Sequence, residues 1–204
     1  MEETENRSTL SELSEIAQLT NRKIFVSEAP YPGSAFNPVT LHRRTVYMPD
    51  SKNNHCFLAA FSDPKSFEKN NMFFGVFITI SSPLSSNFEI RKKDTLDRLN
   101  PFLSHKSLRL GSSSFDKTSV ISGNDERLMR KILSATQTQQ LILEALAMKE
   151  YWFAGLNSVD LGFIPDYKRL SCFGIFTRQA WIVDKSRIEA LFQLARELDK
   201  LIKF

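Results

Sequence analysis

The segment LRLGSSSFDKTSVISGNDERLMRKILSATQTQQLILEAL, residues 108–146, decides the fold, because chemical signals mark most of the boundaries within it. Residues 108–110 alternate apolar and basic side chains and stop at Gly111, as a short half-buried strand does. Residues 120–121 begin a second β run, which ends at Gly123. The apolar pattern then changes from the two-residue period of strands to the longer period of helices. The first half of the segment therefore predicts strands and the second half predicts helices.

Three serines separate the two predicted strands, and the turn that they form holds two candidate structural residues. Phe115 is the large apolar side chain of this turn, so we expect it to point inward. Asp116 beside it can accept hydrogen bonds from backbone amides, as in an Asx turn. We therefore expect Phe115, Asp116 and the strand-ending Gly123 to have structural roles.

A pair of helices is predicted to follow the second strand. Asn124 and Asp125 offer N-cap oxygens, and acidic residues in the first turn suit the helix dipole. A Ser134-x-x-Gln137 capping box predicts the start of the second helix. Apolar residues recur at helical spacing on both helices and predict one buried stripe on each: Leu128, Met129, Ile132 and Leu133, then Leu141, Ile142, Ala145 and Leu146.

This order of elements resembles a broad group of uncharacterised bacterial domains, which often follow a pair of N-terminal transmembrane helices. The matching positions are Gly111, Phe115, Asp116, Val120, Gly123, Asp125, Leu133 and Leu141. A looser match extends upstream through residues 88–99 and downstream to the terminal helix. The resemblance implies a bacterial origin and a place beside a membrane complex, and it implies no activity. This chain departs from the common pattern, since its sequence contains no transmembrane pair.

The chain before this segment is predicted to be mostly β. Polar turns between the apolar runs favour antiparallel pairing. Residues 27–40 contain three prolines and a glycine, which predicts a loop. One short helix is predicted after a Thr9-x-x-Glu12 capping box, and another, over residues 94–102, is capped by Asp94. The predicted strands are residues 24–26, 41–48, 55–61, 72–80 and 88–90.

Beyond the helix pair, short strands are predicted to precede one long final helix. Asp184 is its expected N-cap, and apolar residues recur at helical spacing from Ile188 to Ile202. That apolar stripe is expected to pack on the sheet. The predicted strands of this region are residues 151–154, 159–164, 170–176 and 181–183.

Together these patterns predict an α+β fold, in which an antiparallel β-sheet region packs against a helix pair and a long C-terminal helix. Residues 1–8 are predicted to be a disordered tail, and residues 9–204 a single domain with a possible subdivision near residues 100–107. A chain of 204 residues is long enough to bury a core without disulfides. Its 17 phenylalanines, which carry no polar group, are expected to fill that core.

The composition indicates a soluble protein of a reducing compartment. The first residues are acidic and polar, unlike a secretory signal, and the longest apolar run, residues 72–80, is far shorter than a membrane-spanning helix. The two cysteines, Cys56 and Cys172, are expected to be small buried side chains. The expected location is the cytoplasm, with peripheral attachment to a membrane as the alternative.

Basic clusters suggest an anion-binding surface. Residues 1–20 contain five Glu and one Arg, a net charge of −4, so a total of +4 leaves +8 for the remaining residues. The candidate anion-binding residues are Arg43, Arg44, Arg91, Lys92 and Lys93. An ordinary solvated basic surface explains the same charges. No recognised nucleic-acid module is present, so nucleic acid is a disfavoured partner.

The sequence contains no catalytic motif that we recognise. His55 adjoins Cys56, but neighbours on a strand point to opposite faces and cannot form a nucleophile–base pair with each other. The three histidines and two cysteines lack the close spacings of zinc sites. We therefore predict no catalytic residues, no metal ligands and no cofactor.

The preferred hypothesis is a non-enzymatic binding or accessory module. Its partner would be another protein, or it would lie beside a membrane complex as the resemblance implies. Two alternatives stay open: an enzyme whose site is assembled from dispersed residues, and a weak anion or nucleic-acid binder that uses the basic clusters. The sequence predicts neither a ligand nor an oligomeric state.

Overall fold

A computed structural model describes residues 2–33, 38–66, 71–80, 83–99, 107–148 and 151–202. For residues 2–8 and 98–99 it describes the backbone course alone. Eight strands form one sheet with the spatial order β1-β2-β3-β4-β8-β7-β5-β6, and every neighbouring pair is antiparallel. The strands are β1 Phe25–Tyr31, β2 Leu41–Pro49, β3 Cys56–Ser62, β4 Met72–Ile80, β5 Phe88–Lys92, β6 Ser119–Gly123, β7 Trp152–Leu156 and β8 Ser171–Thr177.

Six α-helices accompany the sheet in the described part of the chain, and the α+β prediction is confirmed. They are α1 Glu2–Leu19, α2 Thr95–Leu99, α3 Ser113–Thr118, α4 Glu126–Ile132, α5 Thr136–Leu146 and α6 Lys185–Leu201, with a 3-10 turn at Pro165–Tyr167. The pair α4 and α5 and the long α6 correspond to the predicted helix pair and final helix.

The helices cover one face of the sheet. Helix α6 packs across β3, β4 and β8, while α5 packs on β7. Helix α1 joins this layer through buried Leu13, Ile16 and Ala17. Because side chains alternate along a strand, every second residue of the central strands enters this core. On β3 and β4 these residues are Cys56, Leu58, Ala60, Phe74, Val76, Ile78 and Ile80.

The opposite face of the sheet is aromatic and is covered by a segment with little regular structure. This covering segment, residues 159–170, connects β7 to β8 and contributes buried Leu161 and Ile164. The buried members that the sheet contributes are mostly phenylalanines: Phe57, Phe73, Phe77 and Phe176, with Ala59 and Cys172. The central strands are therefore buried on both faces, which explains why their sequences are almost continuously apolar.

Two reciprocal glycine–phenylalanine pairs join β4 and β8 on the aromatic face. Gly75 lies directly across from Phe176, and Phe77 lies directly across from Gly174. A Cβ added to Gly75 would lie 2.5 Å from Phe176 Cβ and 2.7 Å from Phe176 Cα. The rings of Phe77 and Phe176 stack with centroids 6.2 Å apart. Gly174 thus leaves room for the ring of Phe77, and Gly75 leaves room for the base of the Phe176 side chain.

The predicted loop over residues 27–40 is wrong for its first five residues, because β1 continues to Tyr31. Pro30 is tolerated there because β1 is an edge strand, which needs backbone N–H donors on one side only. Residues 34–37 of the predicted loop lie outside the described residues.

The strand predicted at residues 108–110 is also wrong. Its backbone is irregular, and the amides of Leu110 and Gly111 donate to the carboxylate of Asp116 instead of to a neighbouring strand. Leu108 N still donates to Ile121 O at 3.2 Å, so this stretch lies along the outer side of β6.

The strands predicted at residues 159–164 and 181–183 do not form. The first lies in the covering segment, where Leu161 and Ile164 bury their side chains on the aromatic face and Ile164 N donates to Leu161 O in a turn. In the second, Ile182 is buried with the helix-face core. Both stretches are apolar because of packing, which a periodicity argument cannot separate from strand pairing.

The helix caps were predicted with mixed success. Asp125 and Asp184 cap α4 and α6, accepting hydrogen bonds from Leu128 N and Arg187 N. The capping box predicted at Ser134 is wrong, because α5 has Ala135 at its N-cap and Ser134 Oγ donates back to Lys131 O. The capping box predicted at Thr9 is wrong as well, since α1 begins at Glu2.

The predicted domain organisation stays a prediction. Helix α1 includes residues 2–8, which were predicted to be a disordered tail, and the side chains are described from Thr9 onward. The proposed subdivision near residues 100–107 falls almost wholly on residues that lie outside the described part.

Candidate functional site at the edge strand

A row of aromatic rings crosses the sheet on the covered face. Phe25 of β1 stacks on Tyr47 of β2 with centroids 5.6 Å apart, and Tyr47 meets Phe57 of β3 edge-on at 5.6 Å. Phe57 stacks on Phe77 of β4, again at 5.6 Å, and the row continues to Phe176. These rings come from neighbouring strands, so antiparallel pairing alone assembles them.

The row leaves the protein interior at its β1 end. Phe25 is 56% exposed and the adjacent Val26 is 42% exposed, whereas Phe57 and Phe77 are buried. Exposed large apolar side chains that adjoin a groove often mark an interaction site. The exposed end of the row is therefore the first feature that points outward to a partner.

A groove of about 300 Å³ lies between this end of the sheet and the covering segment. Phe25, Ser27, Thr45 and Tyr47 line it from β1 and β2, with Val26 at the strand edge. Phe163, Ile164, Pro165 and Asp166 line it from the covering segment. An apolar concavity with a few polar groups is the usual form of a small binding site.

The outer edge of β1 is available for pairing. Within the described ranges β1 pairs with β2 alone, and six of its seven residues are exposed. Proline has no N–H and takes ladder positions whose backbone groups face away from the neighbouring strand. These positions alternate along a strand, so we infer that the N–H groups of Val26 and Glu28 face outward like the position of Pro30. The edge thus offers two donors immediately beside the groove.

Besides Ser27 and Thr45, the groove contains two polar groups, Tyr47 and Asp166. The hydroxyl of Tyr47 lies 3.0 Å from that of Tyr167, and burial, this hydrogen bond and the nearby charge of Asp166 raise the pKa of Tyr47. Tyr47 is therefore a neutral hydrogen-bonding group. The exposed Asp166 carboxylate has no hydrogen-bonding or ion-pair partner in the part of the chain that the structure describes. It leaves one uncompensated negative charge in a groove that is otherwise mostly apolar.

The structure does not bring the predicted basic clusters together. Arg43 and Arg44 lie on β2, whereas Arg91 and Lys92 lie on β5, five places further along the sheet. At about 4.8 Å per strand this separates them by roughly 24 Å.

Most of these basic side chains already have protein partners. Arg44 Nε donates to Glu28 at 2.8 Å, and Arg91 Nη2 donates to Asp97 at 2.8 Å. Lys93 Nζ donates to the carbonyl of Asp116. The proposed anion-binding surface stays a prediction, and the geometry gives it no common site.

The predicted structural residues lie on the other side of the molecule, around β6. Phe115 is fully buried in the helix-face core. Both Asp116 oxygens accept backbone amides, Leu110 N at 2.9 Å and Gly111 N at 2.8 Å. This differs from the predicted Asx turn, in which a single side-chain oxygen accepts. An asparagine at position 116 has one acceptor oxygen, so it could keep only one of the two hydrogen bonds. Gly123 pairs with Phe88, whose Cβ would clash with any side chain at that position.

A second concavity, of about 460 Å³, is polar and lies between β5, β6 and the end of β7. Asn157 in its wall is already engaged, since Nδ2 donates to Leu84 O and Ser86 O while Oδ1 accepts from Cys172 N. Glu89 accepts from Arg178 at 2.7 Å. These groups hold the protein together, so the groove beside β1 is the better candidate site.

The remaining reactive groups are placed as follows. Cys56 and Cys172 are both free and buried, and burial raises the pKa of each thiol to about 12. Among the residues that the structure describes, there is no cluster of three or more His, Cys, Asp or Glu that could hold a metal ion. None of the described helices is both long enough and apolar enough to cross a membrane.

Comparison with known proteins adds no assignment. No family model, curated protein sequence or solved structure matched the chain. The resemblance to uncharacterised bacterial domains stays a prediction.

The groove was missed in the sequence because its parts come from three distant stretches, residues 25–27, 45–47 and 163–166. One available signal was the pair Phe25-Val26 directly before a polar, proline-containing stretch. Proline in a strand indicates an edge, and two large apolar residues on an edge strand indicate a binding surface.

Proposed function

We propose that this protein is a binding module that takes an extended segment of a partner protein on the outer edge of β1. The observation that carries the proposal is the juxtaposition of a strand edge that no other described strand pairs with and an adjacent apolar groove. In this mode of recognition the main chain of the partner adds a strand, and alternate side chains enter a pocket. The edge supplies the hydrogen bonds and the groove supplies the selectivity.

A second copy of this chain fits the edge less well than a different protein. Antiparallel pairing of two full β1 strands about their centre would place Glu28 opposite Glu28, and like charges directly opposite destabilise a sheet. The same register would place Pro30, which has no N–H to donate, opposite Val26. Charge and proline on an edge are devices that prevent self-pairing. The edge near Phe25 and Val26 therefore suits a short foreign segment.

Selection from a library of displayed dodecapeptides of random sequence tests the proposal, because it makes no assumption about which segment binds. We expect the full chain to enrich peptides that bind it, and Val26→Pro to weaken their binding at least tenfold, because proline removes an outward N–H beside the groove. Phe25→Ala should weaken binding as well, while keeping the backbone donors.

Leu96→Ala is the matched control, since Leu96 is an exposed apolar residue of α2 away from the groove. It should leave binding unchanged. Enriched peptides that bind wild type, Val26→Pro and Phe25→Ala equally well would contradict the proposal, and so would a selection that yields no binder. Analytical sedimentation of the wild type shows whether a second copy of the chain occupies the edge instead. A dimer that Val26→Pro dissociates would show that the edge serves a second copy instead.

A further inference from the structure

The carboxylate of Asp166, which has no partner among the described residues, is the basis of an inference that rests on the proposed function. Asp166 is exposed and belongs to the groove lining, next to the apolar surfaces of Ile164 and Pro165. Asp166 and Tyr47 both line the groove, and the charge of Asp166 contributes to the raised pKa of Tyr47. No described cation neutralises it.

Two other carboxylates near the edge have partners within the protein. Glu28 accepts from Arg44 at 2.8 Å and lies 3.0 Å from His42 Nδ1. Asp63 accepts from the Tyr31 hydroxyl at 3.0 Å and from the amide of Lys65. Within the described ranges, Asp166 is therefore the carboxylate of the groove lining, and it has no partner there.

The geometry of an added strand determines where a matching cation would lie. Side chains on one face of a strand recur every two residues, roughly 6.7 Å apart. The groove opens on the aromatic face of β1, so one such side chain enters it beside Phe25. The next side chain on the same face lies two residues further along the added strand, and we expect a long basic side chain there to reach Asp166.

We propose that the segment recognised by β1 carries an aromatic or large aliphatic side chain that fills the groove, with Lys or Arg two positions away that pairs with Asp166. The partner class is thus an extended apolar-x-basic peptide. The apolar side chain supplies most of the binding, and the cation selects among segments that share it, since exposed ion pairs add little affinity but discriminate by charge.

Two synthetic heptapeptides of threonine test the charge preference. Both carry Phe at the third position, and the fifth position is Lys in one and Glu in the other. Binding is followed by the amide resonances of β1 at up to millimolar peptide. We expect the wild type to bind the Lys peptide about three- to tenfold more tightly at low salt, and the preference to shrink as salt screens the pair.

Variants of Asp166 assign the preference to this residue. Asp166→Asn should remove the preference, and Asp166→Lys should reverse it in favour of the Glu peptide. Asp160→Asn is the control, because Asp160 is an exposed carboxylate of the same covering segment that lies outside this groove and accepts from Gly162 N. It should keep the wild-type preference.

The outcomes separate this inference from the proposed function. Peptides that bind at β1 with no charge preference, or with a preference that Asp166→Asn keeps, would overturn the inference and leave the binding mode intact. If neither heptapeptide perturbs β1 while library peptides bind there, the inference fails alone, and if the library also yields no binder, the binding mode itself fails.

Discussion

Phe77 lies directly across from Gly174 of the neighbouring strand, and its ring occupies the space that a side chain at Gly174 would need. Gly75 likewise lies across from Phe176, where an added side chain would meet the Cβ and Cα atoms of Phe176. These pairs carry the aromatic row through the middle of the sheet. The exposed Phe25 is thus the outer end of a rigid, packed array.

Gly75→Ala tests this packing. The new methyl group would meet Phe176 Cβ and backbone, which cannot move without disturbing the sheet, so we expect a loss of about 1–3 kcal/mol or more in the free energy of unfolding. Gly111→Ala is the comparison, because Gly111 has open space around it and a φ of 83°. It should lose about 1 kcal/mol through backbone strain alone. Urea denaturation measures both, and a smaller loss for Gly75→Ala than for Gly111→Ala would contradict the packing argument.

Asp50 is expected to be among the most sensitive polar residues of the fold. Its carboxylate is fully buried between Arg22, at 3.0 Å, and Arg196, at 2.8 Å, and it ties α6 to the stretch after α1. Asp50→Ala leaves a buried guanidinium without this partner, so we expect a loss of about 3–5 kcal/mol.

Glu189→Gln is the milder comparison in this cluster. Glu189 also pairs with Arg22, but its side chain is partly exposed, so water can compensate the loss. The two variants should therefore differ clearly in unfolding free energy. Equal losses would argue against burial as the reason for the sensitivity of Asp50.

Asp97 should make the free energy of unfolding depend on pH in the acidic range. Its hydrogen bond from Arg91 is the main factor that lowers the pKa of Asp97 from 3.8 to about 2. A carboxyl group with a depressed folded-state pKa stabilises the protein above the unfolded pKa, and this contribution disappears as pH falls through the folded value. We expect the stability difference between wild type and Asp97→Asn to be constant above pH 5 and to shrink between about pH 4 and 2. A difference that stays the same across this interval would rule out the depressed pKa.

Asn157 and Asn21 form a matched pair for separating strain from hydrogen bonding. Both have left-handed backbones, with φ of 49° and 52°. Asn157 uses its side chain to join β7, β8 and the stretch before β5, whereas Asn21 is exposed. Replacement by alanine costs the same strain at both positions, so we expect Asn157→Ala to be about 2–3 kcal/mol more destabilising through its lost hydrogen bonds. Comparable losses would assign the role of Asn157 to its backbone conformation.

The sequence predicted the central strands and the capped helices well for a physical reason. Strand β4 is buried on both faces, so residues 72–80 are almost continuously apolar, and their predicted bounds match the structure. Asp125 and Asp184 cap their helices through local contacts within a few residues. Where local chemistry decides a boundary, the sequence displays it.

The binding site could not be predicted in the same way. Phe25, Tyr47 and Asp166 lie far apart in the chain, and sheet pairing plus the path of the covering segment bring them together. Residues 159–164 of the covering segment were wrongly predicted to be a strand, since Leu161 and Ile164 are apolar for packing reasons. A site that depends on tertiary placement leaves no spacing motif in the sequence.

Amide hydrogen exchange across β1 tests the central claim most directly. In the free protein we predict fast exchange at Val26 and Glu28, whose N–H groups face outward, and slow exchange at Ser27 and Ala29, which pair with β2. A bound peptide from the library should slow Val26 and Glu28 selectively. Protection of Val26 and Glu28 in the free protein, or peptide-induced protection at β6 in place of β1, would contradict the account.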